Sequence, residues 1–578
     1  MIVRPAIEGS VRPLPPFLEP LESPLAAPVV AQLVLRSPPS SPSLEATALQ
    51  VMREHKPLSY QEYLARYSID ASDLNVVRDF AQRYRLRVTE INPASRTVTL
   101  SGDGGEMEQA FGVQLKWYNY EKRVCCAPDG PITVPQALSG IVQCVFGLDT
   151  LPLSLGLRQL HGFAPLMERE VHLEKSSLAR AQAQPWTSYR PDEFARLYDF
   201  PAEYEGRNVC LGVLVLYGSY KPEDLKLIFQ TTNRPLPVLS TMGNPIWTEG
   251  IDRWANFEVA LDLQVALACA PAAKHVVYFS EAHGDSDTTA QTYYNVLSSA
   301  IFDQVNQPDV LTMSAGLPES LPGIWTPAAV KAINLLLASA ASLGITVCFP
   351  SGDSGVGFPL GFGMFSAPAL VYFPGSSPYV LCCGGTTLSI QNNQIQDEVV
   401  WNRLTQNMLL GYGGQQDLCN LGSSSGGVSL YFARPSWQSL ANVPEKTLST
   451  FIDWSFTHHK SYPGRGCPDV AANADFFVGY DIMVEKMHRN GGGTSAATPL
   501  IAALVARLCE GVGHRLSGLV PDLYDLQLQQ GLGVFRTITR GNNGGYSASD
   551  ALWNPCTGLG SPRGGPLLAA LRARYGVP

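Results

Sequence analysis

The chain has 578 residues, 45% of them hydrophobic and 16% charged. The length excludes a lone small module, and a charged share well below the roughly 25% usual in soluble proteins predicts a deep core under a sparsely charged surface. Lys and Arg total 41 against 50 Asp and Glu, a formal charge of -9, and no window carries the dense basic cluster that nucleic acid or an anionic membrane surface attracts.

Residues 1–44 are rich in Pro and Ser, close on LRSPPSSPSLEA, and read as an extended or disordered leader. Prolines interrupt MIVRPAIEGSVRPLPPFLEP where a signal peptide needs an unbroken apolar helix, so no signal peptide is expected there. From 45 to 150, the helix-like ASDLNVVRDFAQRYR leads into strands RVTEIN and TVTLSG, and a short helix GEMEQAFG comes next. VQLKWYNY, a turn at APDG, a helix VPQALSGIV and a strand QCVFGLD complete a compact α+β domain. Residues 151–186 lose that regularity, and LEKSSLARAQAQPW has the composition of an exposed, cleavable connection. From 187 to 578, apolar runs such as VCLGVLVL, HVVYF, DVLTMSAG, ITVCFPSGD and YVLCCGGT alternate with helical segments. That rhythm predicts an α/β domain with a mostly parallel sheet, whose ligands gather at the strands' carboxyl ends.

No apolar run reaches the roughly eighteen residues of a membrane-spanning helix without interruption. The longest candidate, AAVKAINLLLASAASLGITVCF, is broken by Lys331, Asn334, Ser339 and Gly344. The 12 Cys lie largely in apolar runs and read as small packing residues, with no zinc or redox spacing.

Three segments carry candidate chemistry. In GGGTSAATPLIAALVARLC, glycines permit a tight turn and Ser495 opens a long apolar helix, a position that suits either a nucleophile or a helix N-cap. The usual base would be His, yet His283 does not open an apolar helix, His275 precedes a strand and His458-His459 sit in a polar stretch. No Ser-His-Asp set emerges. In WANFEVALDLQVALACAPAA, Glu258 and Asp262 are one helical turn apart on a helix whose other positions are largely apolar. Close carboxyls in a poorly solvated site share protons, so one can act as a base while the other holds it. Asp353, in FPSGDSGVG, directly follows the strand ITVCF, where a ligand-facing carboxylate and an Asx-turn aspartate are both reasonable.

With FEVALDLQ, PSGDSG and GGTSAATP in this order, joined by FPGSSPYVLCCGGTTL, EVVWN, SSGGVSLYFARPSWQ and CPDVAANADFFVGY, the chain resembles the sedolisins, or serine-carboxyl peptidases, and their kumamolisin-like proenzymes. Residues 45–150 resemble the family's propeptide. The resemblance implies a subtilisin-like catalytic domain, with Ser495 as nucleophile, Glu258 as general base, Asp262 orienting Glu258 and Asp353 donating to the oxyanion. It implies an acid endopeptidase made as a self-processing proenzyme, with protein or peptide substrates and its own propeptide as intramolecular inhibitor. A monomer that binds neither nucleic acid nor membrane is expected, as is secretion or an acidic compartment. A catalytically silent homologue that binds peptides or a partner is the alternative, and a subtilisin-type His base at His283 a weaker one. Two departures stand out. Val215 and Ala315 occupy places where kumamolisin-type members carry a Glu and a Trp that extend the catalytic hydrogen bonds, so altered pH dependence is expected. At the family's C-terminal calcium site, Thr537 and Asn554 replace two carboxylates, and Asp550 is the nearest substitute. Neutral ligands bind Ca²⁺ weakly, so no tight calcium and no other cofactor is expected.

Overall fold

The computed structural model describes the chain apart from residues 1–3, 15–17, 22–26, 121–122, 155–186, 232–233, 249–252, 283–287, 320–322, 357–366, 404–421, 451–455, 462, 530–531 and 578. The expected processing linker and His283 therefore lie almost wholly or wholly outside the described residues.

The N-terminal domain is built on β1 (Pro28–Leu35), α1 (Leu44–Glu54), α2 (Tyr60–Tyr67), α3 (Ala71–Arg83), β2 (Arg87–Asn92), β3 (Thr97–Asp103), α4 (Gly104–Phe111), the hairpin β4 (Gln114–Tyr120) and β5 (Arg123–Asp129), and β6 (Val142–Phe146). An antiparallel sheet runs β2-β3-β1-β6. This corrects the leader expected over 1–44. The apolar run PVVAQLVL is an inner strand, hydrogen-bonded on both sides, because its side chains bury against two neighbours and Pro28 stands at the strand's first residue, where its missing N–H costs little. Upstream, Arg12 forks onto Asp149 at 2.8 and 3.0 Å and donates to the carbonyl of Gly323 at 3.0 Å. The helix expected over VPQALSGIV is only a 3₁₀ turn at Gln136–Leu138, and the strand before it runs through Asp129 before the chain turns.

The second domain has a sheet of eight strands. In chain order these are β7 (Cys210–Val215), β8 (Leu239–Met242), β9 (Lys274–Phe279), β10 (Val310–Thr312), β11 (Thr346–Pro350), β12 (Leu381–Gln391), β13 (Gln394–Val400) and β14 (Val470–Asn473). Their spatial order is β8-β9-β7-β10-β11-β12-β13, with β14 also paired to β12. All pairs are parallel except β12 with β13. The connecting helices α5 (Arg253–Cys269), α6 (Ala290–Ile301), α7 (Pro327–Ser342) and α8 (Thr494–Val512) cover it. α9 (Leu519–Leu528) and α10 (Gly564–Tyr575) come after them in the chain. α8 is long and apolar enough to span a membrane, but 89% of its apolar window is buried inside the protein, as expected of a core helix. Eleven of the cysteines are free and buried.

The N-terminal domain packs on α6, α7 and the C-terminal helices. Tyr63 Oη meets Ser339 Oγ at 2.9 Å, the Leu58 N–H donates to the Ser342 carbonyl at 2.9 Å, and Tyr294 Oη donates to the Ser95 carbonyl at 2.8 Å. His55 Nε2 lies 3.0 Å from Asp522 Oδ1. One apolar core runs continuously from Val34, Leu44 and Tyr63 into the second domain.

Candidate active site

A cleft of about 430 Å³ opens at the carboxyl ends of β7, β10 and β11, and Glu258, Asp262, Asp353 and Ser495 all line it. α5 presents the first two. Leu261, Leu263 and Val265 are fully buried, so beyond its first turn the helix has no solvated face, and its carboxyls are held where they are by the packing of its apolar residues. Gln264 clamps α5 through both amide atoms to the backbone of Met483, at 2.7 and 2.8 Å. Asn256 ties its first turn to Ser219 and Thr248.

Ser495 sits in the first turn of α8, after Gly493 at φ +81°. A Cβ at Gly493 would stand 2.6 Å from Asp353 Oδ2, so glycine here serves close approach as well as backbone conformation. Asp353 Oδ1 accepts from Thr494 N–H at 2.8 Å and from Thr494 Oγ–H at 2.7 Å. The same Thr494 hydroxyl accepts from Gly352 N–H at 3.2 Å. Oδ2 is left facing the turn that carries Ser495. Ser314, just past β10, donates to Asp262 Oδ1 at 2.7 Å and has the Ser495 carbonyl 3.1 Å away.

The three carboxyls all hold their protons more tightly than ordinary ones. Burial pushes Glu258 up to about 7, opposed by hydrogen bonding from the Ser495 hydroxyl and reinforced by the Asp353 charge. Its Oε1 is buried with no hydrogen-bond partner. Asp262 rises well above the usual carboxylate range through burial and the neighbouring Glu258 charge, against the pull of Ser314. Asp353 rises through burial, moderated by Thr494. His275 is a core residue instead, fully buried with Nε2 2.9 Å from the Ala270 carbonyl, and burial lowers it to about 4.

The four residues singled out in the sequence thus converge. Sequence reasoning misses Thr494 and Asn256, although Thr494 lies inside GGTSAATP, where a hydroxyl beside a first-turn serine is a readable signal. Outside the cleft lining, Asn554 is buried and Thr537 and Asp550 are exposed. Asn554 Oδ1 accepts from Cys556 N–H at 3.0 Å and Thr557 N–H at 3.1 Å, and its Nδ2 donates to the Ile538 carbonyl at 3.4 Å.

A serine at a helix start, set in a parallel sheet's carboxyl-end cleft behind an N-terminal α+β domain, is the arrangement of a subtilisin-like serine peptidase made with an activation domain. Residues 28–151 match the Pro-kumamolisin activation domain, and residues 263–519 match the Subtilase family. Kumamolisin of Bacillus sp. (strain MN-32) is 34% identical over 523 residues, covering 89% of this chain and 86% of the relative. Tripeptidyl-peptidase 1 of Homo sapiens is 27% identical over 467 residues, 76% of this chain and 72% of the relative. The solved structure of Pseudomonas sedolisin (serine-carboxyl proteinase) superposes with a TM-score of 0.56 at 24% identity, over 68% of this chain and 99% of that one, and shares the fold. The chain belongs to the kumamolisin-like sedolisins, a family of serine peptidases made as proenzymes.

Proposed function

We propose that this peptidase is an acid-acting endopeptidase in which carboxyl groups do the work of an imidazole. Ser495 Oγ attacks the scissile carbonyl carbon while Glu258 takes its proton, and protonated Asp353 donates through Oδ2 to the developing oxyanion. The Glu258 proton then passes to the departing amine, leaving an acyl-Ser495 ester. Water, deprotonated by Glu258, hydrolyses the ester and restores the hydroxyl. The observation that carries this reading is the convergence of three carboxyls with raised proton affinity around one hydroxyl, in a cleft with no histidine among its described lining residues.

Ser314 supports the division of roles. One hydroxyl hydrogen has two acceptors within reach, Asp262 Oδ1 and the Ser495 carbonyl. The contact with Asp262 is the shorter, 2.7 Å against 3.1 Å, so the hydroxyl hydrogen goes to that carboxyl and draws down the proton affinity that burial has raised. The productive form carries one negative charge over three carboxyls, on Glu258. Such a cluster titrates as a unit, and its activity profile is bell-shaped. The singly charged form appears when the cluster loses its first proton, leaving Glu258 able to act as base, and is lost when a second proton leaves Asp353 or Asp262; all three groups are raised by burial, so that second loss falls above the ordinary carboxylate range.

The experiment is Ser495→Ala. It should abolish both peptide hydrolysis near about pH 4 and conversion of the full chain to a shorter form by cleavage within residues 151–186. Conversion that persists in the purified variant would overturn the assignment.

We further infer that the C-terminal loop is held without calcium. Asn554 turns an N–H, not an oxygen, toward the Ile538 carbonyl, which commits that carbonyl to a hydrogen bond, whereas Ca²⁺ needs six to eight oxygen ligands. The residues present do not fit the ion.

A further inference from the structure

The sheet order reverses at β7. The chain runs out to β8 and β9 on one side and returns to β10 on the other. Crevices outside the carboxyl ends of strands at such a reversal take ligands. Here the crevice is walled by residues at and just past the ends of two adjacent parallel strands, paired Leu211 to Val310 and Val213 to Thr312. Val215 and Leu216 stand on one side, Ser314 and Ala315 on the other, and both pairs line the same cleft as Ser495 and Glu258.

Apart from the catalytic carboxyls and hydroxyls, the cleft is apolar. Phe257 and Phe476 add to its wall, and no Lys, Arg or His is among its described lining residues. Trp254, one helical turn before Glu258, lies at the rim. It is 48% exposed and set edge-on against Phe257 at 5.0 Å. The described part of the rim is held by contacts: Asn256 pins Ser219 and Thr248, and Gly218, at φ +96°, would place a Cβ 2.8 Å from the Ala255 carbonyl carbon. A preformed apolar recess with few polar groups is what side-chain recognition requires. Its 430 Å³ leaves room for a large side chain beside the scissile bond because positions 215 and 315 carry only an isopropyl and a methyl group.

We propose that Val215 and Ala315 are specificity-determining residues that, with Trp254 at the rim, form a subsite for a large apolar side chain of Leu, Met or Phe size on a residue flanking the scissile bond. The subsite rests on Ser495 being the nucleophile. A charged substrate side chain entering it would lose its hydration among apolar walls, and no Lys, Arg or His among the described lining residues would pair with a carboxylate.

The test measures kcat/KM for a peptide series carrying Leu, Phe, Ala, Lys or Glu at each position around one cleavage point. The native protein should prefer Leu or Phe to Ala by about tenfold or more at one position, and should disfavour Lys and Glu there. Ala315→Trp, which fills the recess, and Val215→Glu, which puts a carboxyl in its wall, should each bring the Leu-to-Ala ratio at that position toward unity and leave the ratios at other positions unchanged. Trp254→Ala, at a half-exposed site, should lower the ratio in the same direction and supplies the reading if a recess variant fails to fold. Unchanged ratios in variants that still cleave through Ser495 would overturn the subsite alone. Absence of any Ser495-dependent cleavage would overturn the catalytic reading and the subsite with it.

Discussion

Replacing Asp353 in two ways separates its shape from its proton. In Asp353→Ala, the Thr494 N–H and hydroxyl lose an acceptor held at 2.8 and 2.7 Å. Unsatisfied buried donors cost about 1–3 kcal/mol of stability. The oxyanion also loses a donor, which typically lowers kcat by about 10²–10³. In Asp353→Asn, the Thr494 donors select the amide orientation that keeps Oδ1 as acceptor, so Nδ2 takes the place of Oδ2 and donates at every pH. Burial raises the Asp353 carboxyl, so its proton is held above the usual aspartate range and lost as pH climbs through the raised value. Activity that needs the proton falls over the same interval, and the amide removes that limit. The asparagine variant should therefore retain much more activity than the alanine variant and should remain active further toward neutrality than the native protein. The assay is kcat for a quenched fluorescent peptide from about pH 3 to about pH 8, with the denaturant midpoint as a folding control. Equal losses in the two variants, with the alkaline limb unmoved, would refute Asp353 as the oxyanion donor.

Gly493→Ala should abolish hydrolysis, because the new methyl lies 2.6 Å from Asp353 Oδ2 at φ +81°, whereas Gly513→Ala, at φ +87° with nothing within 4 Å, should cost only about 1–2 kcal/mol of stability with kcat intact. Thermal unfolding and peptide hydrolysis of the two variants make the comparison. Ser314→Ala removes the hydroxyl between Asp262 and the Ser495 carbonyl. It should lower kcat and displace the pH profile, since Ser314 pulls the Asp262 proton affinity down and its loss lets that affinity rise further. An unaltered profile would separate Asp262 from catalysis. The thermal midpoint should be the same in chelator and in millimolar calcium, while Asn554→Asp, which turns the Nδ2 donor at 3.4 Å from the Ile538 carbonyl into an acceptor, should lower it at neutral pH. A large stabilisation of the native protein by calcium would count against a metal-free loop.

Much of this site is legible in the linear chain, because its parts are local. Carboxyls at 258 and 262 share a face by helical period alone, Ser495 comes soon after three glycines at the start of an apolar run, and Asp353 closes an apolar strand. The order of these segments also marks the family. Local pattern fails where pairing is long-range. PVVAQLVL lies among prolines and serines and reads as leader, yet it is the strand that joins β3 to β6. Whether an apolar run becomes an inner strand depends on partners more than sixty residues away on one side and more than a hundred on the other, and no short-range rule encodes them.

The sequence by itself singled out four residues that line the cleft, the helices and the strand end that carry them and the order in which they occur, since each of these arises from the chemistry of neighbouring residues. Only the tertiary structure decided that Val215 and Ala315 line one cleft at the ends of β7 and β10, that Thr494 holds Asp353 in place, that Ser314 bridges Asp262 to Ser495, and that Asn554 reaches the Ile538 carbonyl. The physical reason is the same in each case. Burial and hydrogen bonding between distant segments exist only once the sheet has set its strand order, and the raised proton affinities of the three carboxyls come from that burial.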